Sequence, residues 1–312
     1  MKISTISAAL LPFVLLLSVT VQAQFTMPKY KDVEAIKGRQ LIVVVSQLDQ
    51  PFMDKITRKN STDLMDEYKS FISNYNKNMR TAVAKLWNFN SGEVLYKSAA
   101  EVAEIAKDKA QKDKYVVMYC HNLVNKHDFE LRIDDSKSDP HITGSVTYFS
   151  LALPGDPPFY EILLSLVVPS TREIVFSVAT TNFNCNYVHN LKANGDMQAM
   201  IKENGHKLSG KTLLILKEEI NKDVTGTIGK YYPGVVKLVD YKELLSAVIT
   251  RDQNSTYAIT TQYNLNTGDC TDWIVNCADG ATLGHCKSHD SYAGYGKDFF
   301  LDMAEFYNGV KK

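Results

Sequence analysis

The stretch Arg39-Gln-Leu-Ile-Val-Val44 is echoed by Lys211-Thr-Leu-Leu-Ile-Leu216, and the segments downstream of each echo one another as well. An internal repeat constrains architecture more than any single motif, because both copies must bury the same kind of surface. Each stretch is short, apolar and rich in branched side chains, as a buried β-strand is. A helical segment containing Asn-Lys comes next, at 76–77 and 221–222, and ends at Leu86-Trp87 or Tyr231-Tyr232. A short strand is then expected, Glu93–Tyr96 in one copy and Val235–Val239 in the other. Ser98-Ala-Ala-Glu101 and Asp240-Tyr-Lys-Glu243 read as capping boxes or close variants, in which the first side chain accepts from an orphan backbone N–H of a new helix. Val102/Ile105 and Leu244/Val248 give those helices an apolar side, and strands at Tyr115–Tyr119 and Tyr257–Thr261 close the units.

The parallel extends further. A hairpin is expected from Glu161–Val168 and Glu173–Val178, turning at Pro169–Arg172. A second is expected over Trp273–Cys286, turning at Asp279-Gly280, a pair favoured in two-residue turns. Helices over Asp196–Glu203 and Asp298–Tyr307 each end at Asn-Gly, where glycine can take the left-handed cap. The expected fold is therefore α/β, with α+β as the alternative: a tandem duplication of a β-α-β-α-β-hairpin-helix unit. The first copy carries additions. Residues 47–75 contribute most of a long helix, along which Leu64, Tyr68, Phe71, Ile72, Tyr75, Met79, Val83 and Leu86 recur at helical spacing, a stripe expected to be core. Phe129–Ile133 and Ile142–Leu153 alternate like half-buried antiparallel strands.

Residues 1–23 have the form of a secretory signal peptide: Lys2, an apolar stretch from Ala8 to Val21, and the cleavage-site residues Val21-Gln22-Ala23. The stretch is shorter than the ~20 residues a bilayer span requires, so no membrane span is expected after cleavage. The expected organisation is signal peptide 1–23, first unit 24–206 and second unit 207–312, in a protein placed in the periplasm or outside the cell. Lys plus Arg and Asp plus Glu balance at 35 each, so no basic excess exists to collect phosphates, and nucleic acid is not an expected partner.

Gly205-His-Lys-Leu-Ser-Gly210-Lys211-Thr212 matches the P-loop letters. A P-loop lies between a strand and the helix after it, whereas here a helical stretch precedes the motif and a strand comes after. A cap leading into a polar turn is the expected structure, and no cofactor is assigned.

Five cysteines are present, Cys120, Cys185, Cys270, Cys277 and Cys286, and export makes disulfides the default. With Asp279-Gly280 as a two-residue turn, Cys286 faces Trp273 and Cys270 faces His289. Cys277 and Cys286 then lie about 13 Å apart along the hairpin, beyond the ~7 Å that a bridge spans. Cys270 and Cys286 can meet at its open end and are the expected disulfide. The same corner offers Cys270, Cys286 and His289, with His285 adjacent, as a zinc candidate, although the spacing fits no known zinc pattern. The redox states of Cys120, Cys185 and Cys277 stay open.

Cys120-His121 closes a strand, but neighbours on a strand point to opposite faces and cannot serve each other. A buried thiol and a surface histidine are expected. Cys185-Asn-Tyr-Val-His189 lies among asparagines and reads as a loop. Asp134-Asp135, Asp139 and His141 read as a charged turn. Asn60-Ser-Thr62 and Asn254-Ser-Thr256 fit the glycosylation pattern. No serine-hydrolase elbow, zincin or redox dithiol motif occurs, though triads assembled from distant residues leave no local trace. The expected function is a non-catalytic binding or scaffold protein of the cell envelope or extracellular space. The alternative is an exported hydrolase with a dispersed site drawn from His121, Cys185 and His189, or from the Cys270–His289 corner.

Overall fold

The computed structural model describes residues 27–122, 131–134, 141–144, 147–165, 170–262, 270–288 and 294–309; the segment 1–23 lies outside them. After α1 (Tyr30–Lys37), the chain runs β1 (Gln40–Val44), α2 (Gln50–Arg58), α3 (Thr62–Leu86), β2 (Leu95–Lys97), α4 (Ala99–Lys107), α5 (Lys109–Lys112) and β3 (Tyr115–Asn122). A small hairpin, β4 (Leu131–Asp134) and β5 (His141–Gly144), precedes β6 (Thr147–Ala152), β7 (Tyr160–Ser165) and α6 (Thr171–Leu191). The remainder is α7 (Met197–Asn204), β8 (Thr212–Leu216), β9 (Val235–Val239), α8 (Tyr241–Ile249), β10 (Ser255–Gln262), β11 (Cys270–Asn276), β12 (Thr282–Ser288) and α9 (Lys297–Tyr307).

The fold is mixed α/β, with two five-stranded sheets of the same plan. One has the order β2-β1-β3-β6-β7, and the other, read in the same sense, β9-β8-β10-β11-β12. In each, the first three strands are parallel and the last two are added antiparallel. This agreement is compatible with a duplication.

Alternation along the strands sorts their side chains onto faces. Leu41, Val43, Val116, Met118 and Cys120 share a core with α3 and α6. Ile42, Val44, Val117 and Tyr119 face the other way, against Val102 of α4. The steps β1 to β2 and β2 to β3 move in opposite directions across the sheet, so right-handed crossovers put α3 and α4 on opposite faces. In the second sheet, Leu214, Leu216, Tyr257 and Ile259 face α8 and the α3–α6 core, while Leu213, Ile215 and Ala258 face α7 and α9. The layers therefore run α4, first sheet, α3/α6/α8, second sheet, α7/α9. The space between the sheets is filled by one apolar core rather than left as a groove.

Caps fix the helix starts. Ser98 and Glu101 form a reciprocal capping box, with Ser98 N–H donating to Glu101 Oε2 at 2.8 Å and Glu101 N–H to Ser98 Oγ at 3.3 Å. Asp240 accepts from Glu243 N–H at 2.8 Å, but Glu243 pairs with Lys237, so only half of that box forms.

Several expectations need correction. Glu173–Val178 is not a strand: it opens α6, whose start carries a second capping box, Ser170 with Glu173. Twelve residues of α6 are buried, so it has no polar stripe to reveal its period. Cys185–His189 lies in the same helix, not in a loop. The hairpin partner of β7 is β6, the counterpart of β11 rather than an addition. The long insertion is two helices, α2 and α3, broken at Asn60 with φ +52°. Asn221-Lys222 opens a turn, and Gly205 has φ −55°, continuing into a 3-10 turn rather than capping in the left-handed region. Thr212–Leu216 is strand β8, paired on both sides, and α7 precedes it. The P-loop letters therefore stand in the reverse of the strand–loop–helix order.

Candidate functional site

The β11–β12 turn decides the fate of the cysteines. Asn276 N–H donates to Ala281 C=O, so the loop holds four residues, Cys277–Gly280, and a bulge shifts the register between Ile274 and Val275. Cys270 then pairs with Ser288, and Cys286 with Asp272. Cys270 and Cys286 are diagonal neighbours two positions out of step, and the expected disulfide does not form: both are buried thiols outside any bridge, as are Cys120, Cys185 and Cys277. His289 lies outside the described residues. Among the described residues no group of three or more His, Cys, Asp or Glu is placed to hold a metal ion.

In place of that bridge stands a buried polar cluster at the carboxyl end of the second sheet's parallel strands, where α/β sites commonly form. Asp272 is 5% exposed. Its Oδ1 accepts from Thr260 Oγ1 at 2.6 Å, and Cys286 Sγ makes a long contact to Oδ2 at 3.8 Å. Thr260 Oγ1 lies 3.2 Å from the Tyr295 hydroxyl, and Tyr295 N–H donates to Glu219 C=O at 2.7 Å. Burial pushes the Asp272 carboxyl up to about 6, against the opposing bonds from Thr260 and Cys286, and the charge of Glu219 adds to the rise. Arg172, from the first turn of α6, grips Glu219 with two 2.6 Å bonds and ties that helix to the second sheet.

The first sheet carries a different cluster on its other face. His121 Nε2 lies 2.9 Å from Ser150 Oγ and 3.0 Å from Glu161 Oε1. The carboxylate only accepts, so Nε2 carries the proton, and Ser150 Oγ donates to Glu161 at 3.3 Å. One ring nitrogen thus serves both partners. A Ser–His–acid triad instead places serine on one nitrogen and the acid on the other. Ser150 is 0% exposed, so its hydroxyl has no approach for an acyl group. His121 is itself 8% exposed, not a surface residue, and stacks on Tyr148.

Cys120 points into the central core, away from His121, as strand alternation requires. Cys185 is buried on α6, with its thiol pushed up to about 12 by burial. His189, one turn on, pairs with Glu34 at 3.0 Å. His121 belongs to the opposite face of the first sheet, so His121, Cys185 and His189 are not assembled into one site.

Register shows why neither cluster is repeated. Gln40 pairs with Tyr115 as Thr212 pairs with Ser255, so Cys120 and His121 correspond to Thr260 and Thr261. These differ from Gln262 and Tyr263, the counterparts that aligning Tyr115 with Tyr257 implies. Asp272 corresponds in the same way to Phe149, and Cys286 to Ile162.

An open cavity of about 290 Å³ lies where α6 hands over to α7. Phe183, Asn186, Tyr187, Asn190 and Leu191 line it from α6, and Glu203 from α7. The α6 residues recur at i, i+3, i+4, i+7 and i+8, a single helix face. The rings of Phe183 and Tyr187 lie 18° from parallel with centroids 5.9 Å apart, and Tyr187 donates to Glu203 Oε2 at 2.7 Å. Asn186 Nδ2 is held by Asn88 Oδ1 and Asn182 C=O. A larger groove of about 710 Å³ beside α8 is lined by Lys237, Lys242, Asp240, Glu243 and Asp252 among others. Its charges are mixed, and Lys237 is already spent on Glu243.

No family model matches this chain, and neither a curated protein nor a solved structure matches it. Among the described residues no helix is long and apolar enough to cross a membrane.

Proposed function

We propose that this chain is an exported, non-catalytic binding protein of the cell envelope or extracellular space, with its ligand site in the α6–α7 cavity. The observation that carries the reading is the cavity's wall: half-buried aromatic rings with amide groups and a carboxylate, at the junction of a helix held between the two sheets and one on the far face of the second. Small-molecule sites have this composition and favour such junctions. The state of the nucleophiles supports it. The thiols of Cys120, Cys185 and Cys277 are pushed up to about 12 by burial, far from the thiolate that attack requires. Ser150 is sealed beneath its partners. The export half of the proposal rests on residues 1–23 alone.

The test uses the mature chain from Gln24, screened by thermal shift against a library of small polar metabolites and, in parallel, against chromogenic ester, peptide and glycoside substrates. A ligand that raises Tm with concentration, as mass action requires, and that loses its effect in Asn190→Ala supports the reading. Turnover abolished by Ser150→Ala or His121→Ala would establish the hydrolase instead.

A further inference from the structure

We infer that the α6–α7 cavity recognises a neutral pyranose ring, a conclusion that rests on the binding reading above. The rings of Phe183 and Tyr187 stack on one another and line the cavity from a single helix face, a shelf rather than a box. A cation such as a quaternary ammonium is held best inside an aromatic cage that walls it from several sides. A shelf instead suits a flat ligand face, and a pyranose offers one made of axial C–H groups. Around that face a sugar presents hydroxyls, each both donor and acceptor, and the rim of the shelf offers groups of both kinds. Asn190 is exposed at one end, and among the described residues no hydrogen bond engages its amide. Asn186 uses its N–H groups internally, which leaves its carbonyl oxygen for a donor. Glu203 accepts from Tyr187 through one oxygen, Oε2. Tyr187 has its phenol pushed up to about 12 by burial and by the bond to Glu203, so it stays protonated, with its one hydrogen on Glu203 and its oxygen left to accept from a ligand hydroxyl. Among the described residues no lysine or arginine lines the cavity, which removes the means of holding a phosphate or a carboxylate. The volume of about 290 Å³ is at the small end for ligand sites and suits one ring rather than a chain buried along its length.

The experiment is a 1H–15N titration of the mature protein with methyl β-glucoside, methyl β-galactoside and N-acetylglucosamine. Tetramethylammonium and adenosine serve as the competing probes. The expected result is saturable shifts from at least one sugar, confined to residues 183–191 and 203 and their neighbours. Asn190→Ala should weaken that sugar about 3- to 10-fold, the loss of one hydrogen bond. Tyr187→Phe keeps the shelf but releases Glu203, and should weaken it by a similar factor. Both are mild substitutions, and an unchanged spectrum outside the cavity shows that each variant is folded. Saturation by tetramethylammonium or adenosine, with the sugars silent, overturns the sugar class and leaves the cavity as a ligand site. Silence from all five probes at these residues, or sugar shifts that map elsewhere, overturns the assignment of the cavity itself.

Discussion

Asp272→Asn should stabilise this protein at neutral pH and remove one specific pH dependence. The wild-type carboxyl sits near 6 instead of the ordinary 3.8 because it is buried beside Thr260 and Cys286, with no cation against it among the described residues. Between those two values the folded state holds more proton than the unfolded state, so stability falls as pH rises through the interval. The full penalty above the upper value is about 3 kcal/mol, from 1.36 kcal/mol for each pH unit between about 6 and 3.8. Asparagine never ionises and can still accept from Thr260. Its second amide hydrogen meets only a sulfur, which returns about 1 kcal/mol of cost. The net expectation is a variant more stable by about 2 kcal/mol near pH 7 and less stable than wild type near pH 3.5. Urea unfolding of both proteins at half-unit steps between those limits supplies the assay, since all other carboxyl groups cancel in the difference. A wild-type-minus-variant difference that stays flat across the whole range would refute the reasoning.

Glu219→Gln leaves the guanidinium of Arg172 without its bidentate partner and should cost about 2 kcal/mol in urea unfolding; the figure is reduced from the ~3–5 of a fully buried pair because Glu219 is 30% exposed. Ser170→Ala removes the α6 capping box and should cost about 1 kcal/mol by the same assay. Gly280→Ala places a Cβ 2.5 Å from the Ala179 carbonyl at φ +85°, so it should lower Tm by several degrees or prevent folding, read by calorimetry. All five cysteines should resist an aromatic disulfide reagent in the native protein and react once it is unfolded without reductant; thiols missing from the unfolded count would disprove the unbridged arrangement.

The alternation of strands and capped helices was legible in the sequence because its cues are local. A five-residue apolar run such as Thr212–Leu216 and a cap such as Ser98–Glu101 declare themselves without reference to the rest of the chain. Helix α6 did not, and the reason is physical. Its branched residues Ile174, Val175 and Val178 favour strands in isolation, and burial on most sides erases the polar stripe that marks an amphipathic helix. The cavity went unseen for the same reason, since Phe183, Asn186, Tyr187 and Asn190 share a face only if the segment is helical. The clusters at Asp272 and His121 are made by pairing between strands, and a four-residue turn together with a bulge at Ile274/Val275 moved Cys286 from its expected partner, Trp273, to Asp272. Such a register shift leaves no mark that spacing alone can reveal.

The stacking of the two sheets also has a directional meaning. The face of the first sheet that carries α3 and α6 meets the α8 face of the second, so unlike sides touch, as bricks do when laid in a course. A head-to-tail joint of this kind has no geometric stop, in contrast to a twofold joint that closes on itself. The chain must therefore end the course chemically. On the outward side of the first sheet, Ser150 stands where the second sheet has the inward-facing Trp273, and His121 and Glu161 flank it. Ser150 and His121 are themselves buried, so the course is closed by a polar interior on that side and by α4 laid over the same face.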